Sequence, residues 1–275
     1  DIIDSVSALK DLKEGSIEQK IADLYNSAMD SVELNENSGY ALEGFLHCDG
    51  YQCEPKITED WLKDVWPRMM RQGVRGLFSY WIGADEKDSK NNIVNIMQGG
   101  LTLGQKDYYV ENDEATTRIR EAYKKYIVDL SMHDGFSEKD AQRIMQDVMR
   151  IETRIAVASR SMTELRDPEA NYNKFTYDEL KSQFPGIDWD GFFGVFGIKA
   201  GEVKNVIVGQ PEAIHEVEKI LKEEKPEALQ NIYLWHAMDM SASYIDDEAR
   251  ALEFAFSGTV MSGKTEDRSR WKRAA

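Results

Sequence analysis

One stretch of the sequence matches a motif that binds phosphate groups. Residues 258–265 (GTVMSGKT) fit the pattern GxxxxGK[ST], in which backbone N–H groups surround phosphates and a lysine, here Lys264, reaches their oxygens. This chemistry requires a strand before the motif and a helix after it in a parallel sheet. Residues 252–256 could form a short strand, but residues 246–256 also read as a helix, and only residues 266–275 follow in this sequence. We interpret the match as coincidence, which leaves a nucleotide-binding enzyme as the weakest functional hypothesis.

The histidines lack the spacing of a zinc-peptidase site. In the HExxH motif, histidines at positions i and i+4 share one helical face and the glutamate acts as general base. His215 and Glu216 begin this pattern, but Lys219 occupies the second ligand position. The sequence therefore predicts no catalytic residue, no metal ligand and no cofactor-binding residue in this chain. We expect His215 to lie on a helix surface and His236 to be partly buried.

The two cysteines, Cys48 and Cys53, lie close together beside His47. The four residues between them would allow a small disulfide loop, but spacing alone does not decide whether the bridge forms. A zinc site would need a fourth ligand besides these three side chains. Two ordinary loop cysteines are the favoured interpretation, and the disulfide stays open.

Composition narrows the class of protein. The chain has 275 residues, 41% of them hydrophobic, with a formal net charge of −16 and a sequence pI near 4.8. A field of this sign repels phosphate backbones, so nucleic acid is not expected as a partner. No run approaches the ~18 apolar residues that a membrane-spanning helix needs, so this segment is not expected to insert into a membrane.

The 3.6-residue hydrophobic period dominates the chain and predicts a mainly α fold with many helices. Helix starts are predicted at polar caps or at a proline in the first turn: Ser16, Thr58, Asp113, Ser137, Thr176, Asp188, Pro211 and Pro226. A further helix is expected over residues 246–256, and Pro67 is expected to kink or restart the helix that contains it.

Strand signals are few. Residues 77–82 and 93–97 flank the polar stretch 85–92, which predicts a small β-hairpin with a long loop. The composition of that loop is similar to a calcium loop, but its residues do not keep the ligand register, so a solvated turn is preferred. Asn205–Val208 is expected as a lone strand.

Several segments, taken together, resemble the neprilysin and endothelin-converting-enzyme family of zinc metalloendopeptidases, which includes bacterial oligopeptidases of the oligopeptidase O type. Residues 85–109 are similar to the family stretch D-x-K-x-S…Q-x-x-L-x-L-P-x-R-D-Y-Y, with Gly104 in place of the proline and Lys106 in place of the arginine. Residues 268–273 (RSRWKR) resemble R-P-R-W-K-R, with Ser269 in place of the proline. The resemblance is weak over residues 35–72.

The other positions that carry the resemblance follow the family order along the chain. They are residues 18–25 (EQKIADLY), Glu152, Ala156, Ser159, Glu164, Arg166, Asp167, Tyr172, Asn173, Asp188, Trp189, residues 229–231 (LQN), Ser262 and Gly263.

The resemblance implies a place for this chain in a larger enzyme. In the family, the N-A-Y motif, HExxH and the third zinc ligand follow the R-W-K-R segment. Residues 1–275 would then be most of the helical N-terminal domain that caps the catalytic domain, cut at both ends. The implied role is to limit substrate access, within a two-domain parent that contains zinc, hydrolyses peptides and works outside the cytoplasm. The chain alone is expected to be inactive, with the catalytic domain of the same polypeptide as its partner.

A stand-alone helical binding or scaffold protein of the same fold is the main alternative. The C-terminal residues bear on this choice, because Arg268, Arg270 and Arg273 surround Trp271 in an otherwise acidic protein. We predict that these four residues form an interdomain contact, in which arginines pair with carboxylates across the junction and Trp271 is a buried anchor.

Overall fold

The computed structural model describes residues 2–38 and 59–275. His47, Cys48, Cys53 and the helix start expected at Thr58 lie outside the described residues. The chain divides into two compact units. We call residues 1–50 with 241–275 the terminal unit, and residues 51–240 the central unit.

The described residues are mostly helical, which confirms the mainly α prediction. The helices are α1 (Ile2–Ser7), α2 (Ile17–Met29), α3 (Ser31–Glu36), α4 (Glu59–Arg71), α5 (Asp107–Val110), α6 (Glu114–His133), α7 (Glu138–Ala158), α8 (Tyr177–Gln183), α9 (Trp189–Val195), α10 (Pro211–Glu223), α11 (Pro226–Ile245), α12 (Asp247–Glu253) and α13 (Arg270–Ala274). Short 3-10 turns occur at Glu164–Arg166 and Ala200–Glu202, and Phe254–Met261 is a π-helix.

Local capping signals fix most helix starts. The side chains of the predicted caps accept backbone N–H groups of the first turn at Asp113, Ser137, Thr176 and Asp188, and Pro211 is the first residue of α10. Thr176 forms a full capping box with Glu179. At Ser16 only the serine half is present, because Gln19 Oε1 accepts from the N–H of Gly15. These bonds satisfy N–H groups that lack a partner within the helix.

The predicted restart of the helix at Pro67 is wrong, while the alternative of a kink stays a prediction. Helix α4 runs through Pro67 without interruption. A proline inside a helix removes one backbone hydrogen bond, and the buried side chains of Trp66, Met69 and Met70 around this position offset that loss.

The central unit contains a four-stranded sheet in the order β1-β2-β4-β3. β1 (Phe78–Asp85) and β2 (Asp88–Gln98) form the predicted hairpin, while β3 (Lys174–Thr176) and β4 (Asn205–Val208) are antiparallel. β4 is not a lone strand as predicted, because it pairs in parallel with β2 and lies between β2 and β3.

The hairpin loop is shorter than predicted. Asp85 pairs with Asp88, so only Glu86 and Lys87 form the turn and the expected loop over residues 85–92 is mostly strand. The side chains of residues 88–92 are all exposed. This end of the ribbon therefore has polar residues on both faces, and the alternation that marks a half-buried strand is absent.

A buried carboxylate fastens the hairpin turn. Asp85 is only 2% exposed and accepts hydrogen bonds from Lys174 Nζ (2.6 Å), Tyr172 Oη (2.7 Å) and the N–H of Lys87 (3.0 Å). The hydrogen bonds from Lys174 and Tyr172 lower the pKa of Asp85 to about 2. The turn is thus tied to the segment that leads into β3.

We expect the hairpin to loosen in acid. The lowered pKa means that the ionised Asp85 stabilises the folded state above pH about 4 and that this stabilisation is lost as the pH falls toward 2. Hydrogen exchange of β1 and β2 amides should therefore accelerate in Asp85→Asn at neutral pH. Asp88→Asn is the matched control across the turn, since the exposed side chain of Asp88 accepts a hydrogen bond from the nearby Asn91 (2.7 Å). Equal exchange in both variants would contradict the anchoring role.

Aromatic side chains fill the core beside the sheet. Phe192 of α9 lies at their centre and is 1% exposed. Its ring centroid lies 5.3–6.3 Å from those of six neighbours: Trp66, Phe78, Tyr80, Trp189, Phe193 and Phe196. Tilted and edge-on pairs of this kind add to the energy of burial, so this cluster holds α4, α9 and β1 together.

Candidate docking surface and buried polar cluster

The predicted interdomain arginines lie in the terminal unit, and two of them pair within it. Arg270 donates to the carboxylate of Asp247 and to the carbonyl oxygen of Ala28 (3.2 Å). Arg273 donates to Asp267 Oδ2 (3.1 Å) and to the carbonyl oxygen of Arg268 (2.7 Å). These carboxylate partners belong to the same chain, so they hold α13 in place from inside the unit.

Asp267 is the main acceptor at this end of the chain. Arg250 donates to both of its carboxylate oxygens, at 2.8 and 2.7 Å. This bond from Arg250 is the largest cause of the lowered pKa of Asp267. A bidentate arginine fixes the carboxylate in direction as well as distance, and the segment that carries Arg268 and Trp271 is therefore anchored on both sides.

Trp271 is available on this anchored segment. Its side chain is 41% exposed, and the ammonium of Lys272 lies 5.3 Å from the ring centroid. The same unit contains a cavity of about 1060 Å³, which is lined by residues of both charge signs, such as Lys264, Arg268 and Asp267, and by apolar residues such as Leu24. The terminal unit thus presents both charge and apolar surface.

Large apolar side chains are exposed more often in the terminal unit than in the central unit. The terminal unit holds fewer than a third of the described residues, yet it carries eight of the fourteen exposed large apolar side chains. They are Ile2, Leu9, Ile17, Ile21, Leu24, Val32, Tyr244 and Trp271. We call these eight side chains the apolar surface of the terminal unit.

Helix α2 explains much of this surface. Its apolar residues recur at helical spacing on one side, but only Ala22 and Tyr25 of α2 are buried. Ile17 and Leu24 are 72% and 73% exposed. The hydrophobic period correctly predicts the helix. Most of its apolar side, however, is left exposed by the described residues.

The phosphate-motif match does not have the structure that phosphate binding requires. Within residues 258–265, Gly258–Met261 belong to the π-helix Phe254–Met261, which continues directly from α12. Their backbone N–H groups lie in a helix and are not arranged as a loop, and the element directly before them is helix α12, not a strand. A Cβ on Gly258 would come within 2.4 Å of the Phe254 ring, so packing accounts for this glycine.

The second functional feature is a fully buried polar cluster in the central unit. Glu152 of α7 and His236 of α11 are both 0% exposed, and His236 Nε2 lies 3.2 Å from Glu152 Oε1. The expectation of a partly buried His236 is therefore wrong. His215, in contrast, lies on the surface of α10 as expected, with Nδ1 3.0 Å from Glu218 Oε2.

Glu152 collects hydrogen bonds from several elements. Oε2 accepts from Tyr109 Oη (2.7 Å) and Tyr123 Oη (2.9 Å), and Oε1 accepts from the N–H (3.2 Å) and Oγ1 (2.7 Å) of Thr102. Burial by itself raises the pKa of Glu152, but the hydrogen bond and charge of His236, with the bonds from Tyr109 and Thr102, lower it overall.

In the sequence, Glu152 stands out only as part of the family resemblance, and no motif surrounds His236. The available signal was the composition of α11, where residues 232–238 (IYLWHAM) are apolar on every side of the helix except at His236. A histidine in such a helix needs polar partners in the core. Those partners lie far away in sequence, so the residues around His236 do not identify them.

The described residues contain no group of three or more His, Cys, Asp or Glu side chains placed to hold a metal ion. Among the same residues, no helix combines the length and the hydropathy of a membrane-spanning segment.

Comparison with known proteins decides the family. The sequence model described as peptidase family M13 matches residues 1–275. The chain belongs to peptidase family M13. Similar M13-type relatives include endothelin-converting enzyme 1 of Mus musculus, 25% identical over 263 residues, and an endothelin-converting enzyme homolog of Locusta migratoria, 28% identical over 197 residues. These alignments cover 93% and 68% of this chain.

Solved structures share the M13 fold seen here. The zinc metalloprotease Zmp1 of Mycobacterium tuberculosis, in complex with an inhibitor, has a TM-score of 0.89 at 23% identity. PepO from Lactobacillus rhamnosis HN001 has a TM-score of 0.74 at 16% identity. Each comparison covers 99% of this chain, but only 41% and 42% of those chains.

This M13 chain spans only about a third of the length of the curated relatives that it matches, namely 34% of the mouse protein and 26% of the locust protein. It corresponds to the N-terminal region of the family, so the neprilysin-like resemblance of its motifs is confirmed at the level of the family.

Proposed function

We propose that this chain is the noncatalytic helical domain of a larger zinc-dependent metalloendopeptidase of family M13. In this proposal residues 1–275 cap the catalytic domain of the same polypeptide and limit which peptides reach its active site. Zinc and the hydrolytic residues belong to the catalytic domain, and the parent works outside the cytoplasm. Two findings support this proposal: the chain belongs to family M13, and it spans only about a third of the length of its relatives.

The observation that carries the proposal is the apolar surface of the terminal unit. Contiguous exposed apolar side chains mark interaction sites in soluble proteins, and α13, which carries Trp271, contacts α2, which carries Ile17, Ile21 and Leu24. Trp271 stands among cations on a segment that Arg250, Arg270 and Arg273 already fasten to this unit. A tryptophan on a rigid support is a typical centre of an interface, and we assign the catalytic domain as the partner that covers it.

The proposal predicts that Trp271 contributes strongly to association. The chain would be expressed together with the remaining segments of its parent as separate polypeptides. Replacing Trp271 by alanine should weaken the complex by at least about 2 kcal/mol, a roughly 30-fold rise in Kd, as truncation of a central interface tryptophan does. Calorimetry or surface plasmon resonance would measure it, and peptidase activity of the complex would fall in parallel.

Trp81→Ala is the matched control. Trp81 is 46% exposed, close to the 41% of Trp271, but it lies on β1 in the central unit. We expect its removal to leave Kd within about twofold, as for a surface change outside an interface. Segments that fold but never associate, or equal Kd values for the two variants, would favour a stand-alone binding protein instead.

A further inference from the structure

One edge of the sheet in the central unit is free to pair. In the order β1-β2-β4-β3, β1 lies at an edge and pairs with β2 alone among the described strands. Alternate residues of β1 therefore direct their backbone N–H and C=O groups away from β2. Within the described part of the chain, no loop or helix forms a backbone hydrogen bond with residues 78–84. These outward groups can form a ladder with a further strand.

Residues 78–84 (FSYWIGA) lack the features that usually keep an edge strand from pairing. Natural edges carry proline, charged side chains or bulges, or are very short. This segment contains no proline and no charged residue, and its register with β2 is continuous up to Ala84. The strand at the other edge, β3, has only three residues and begins with Lys174. Of the two edges, β1 is the one suited to pairing.

Apolar side chains are exposed on both faces of β1. Trp81 and Ile82 are 46% and 61% exposed, and successive side chains of a strand point to opposite faces. Tyr80, on the same face as Ile82, packs against the rings of Phe192 and Phe196, with centroids 5.4 and 4.8 Å apart. The strand is thus held by the aromatic core, and one added strand would contact both Trp81 and Ile82.

The sequence of β1 is complementary to itself in an antiparallel pair. With Ile82 opposite Ile82 of a second copy, Trp81 lies opposite Gly83 and Tyr80 lies opposite Ala84. Each large ring then meets a small residue, and an aromatic side chain compensates for a glycine in an edge strand. No charged residue faces a like charge, which would destabilise the pair. A twofold axis at Ile82 repeats every contact, as a closed dimer requires.

We propose that β1 is a self-association edge, at which two copies of this chain pair their β1 strands antiparallel. The two four-stranded sheets then form one continuous sheet. Each copy has a formal net charge of −16, whereas the residues that meet at the edge are uncharged. The dimer therefore becomes tighter as salt screens the repulsion between the two copies. β1 belongs to the central unit, so the inference does not rest on the surface proposed for the catalytic domain.

Sedimentation equilibrium of the 275-residue chain over a range of concentrations should show a monomer–dimer equilibrium. Ile82→Lys should abolish the dimer over the same range, because it places two ammonium groups opposite each other in the strand pair. Val157→Lys is the matched control. Val157 is also 61% exposed but lies in helix α7, so the same gain of charge occurs outside the edge. This variant should keep the Kd of the dimer within about twofold of the wild type.

The two exposed tryptophans provide a second comparison. Trp81→Ala should raise the Kd of the dimer about tenfold, since two cross-strand contacts with Gly83 are lost at once. Trp271→Ala changes the terminal unit only and should leave this Kd unchanged. If Trp271→Ala removed the dimer and Ile82→Lys did not, self-association would belong to the terminal unit and the proposal would be wrong.

Amide hydrogen exchange of the wild type locates the surface that pairs. As the concentration rises, exchange should slow at alternate residues between Phe78 and Ala84, because only the N–H groups that face away from β2 gain a partner. A chain that stays monomeric in high salt would overturn the proposal, and so would equal dimerisation of Ile82→Lys and the wild type. If Ile82→Lys fails to fold, the exchange pattern decides alone. None of these results depends on whether the terminal unit binds a catalytic domain.

Discussion

Glu152→Gln is expected to lower the free energy of unfolding by about 3–5 kcal/mol, because it leaves at least two buried donors without an acceptor, at about 1–3 kcal/mol each. The substitution keeps the shape of the side chain but turns one oxygen into an NH₂ group. That group would face either the phenol hydrogens of Tyr109 and Tyr123 or the donors on Thr102 and His236. Donors would then oppose donors in a site without water access.

Chemical denaturation followed by tryptophan fluorescence would measure this loss. Glu138→Gln is the matched control, because Glu138 is an exposed glutamate in the first turn of the same helix, α7. Removing its charge should cost only about 0.3–1 kcal/mol through the helix dipole. A loss below about 1 kcal/mol for Glu152→Gln would show that the buried bonds contribute little net stability.

Phe192→Ala should also cost about 3–5 kcal/mol. Phe192 is 1% exposed, and the rings around it belong to α4, α9 and β1, so collapse of the cavity would require several elements to move. We expect a large fall in the midpoint of thermal unfolding, measured by calorimetry or circular dichroism.

Met162→Ala serves as the control for this core change. Met162 is 50% exposed in the turn after α7, so its truncation should change stability by no more than about 0.5 kcal/mol. If Phe192→Ala and Met162→Ala gave similar midpoints, the aromatic cluster would not be the tightly packed core described above.

The parts of the fold that the sequence predicts are those with local causes. Asp113, Ser137, Thr176 and Asp188 begin helices because a short polar side chain can reach the N–H groups two or three residues ahead. The same residues would do so in almost any tertiary setting, which is why a single sequence suffices to locate these helix starts.

The parts that were missed depend on distant partners. β3 has only three residues, Lys174–Thr176, and exists because β4 offers it an edge. Glu152 and His236 are 84 positions apart and come together only when α7 and α11 pack. Polar residues 88–92 read as a loop because both faces of that ribbon meet solvent. A short stretch of sequence cannot predict these features, because they depend on residues that lie elsewhere in the chain.

The parallel pairing of β2 with β4 has a consequence for synthesis of the chain on the ribosome. Val94 pairs with Val206, 112 positions further on, whereas β1 pairs with β2 across a two-residue turn. The ribosome adds about 5–20 residues per second. Roughly 5 to 20 seconds therefore pass between synthesis of the hairpin and synthesis of β4. During that time one edge of β2, with Val94 and Ile96, has its hydrogen-bonding groups unpaired. Such an edge can recruit strands from other chains, so nascent chains of this domain must fold their helices, or meet a chaperone, within that interval.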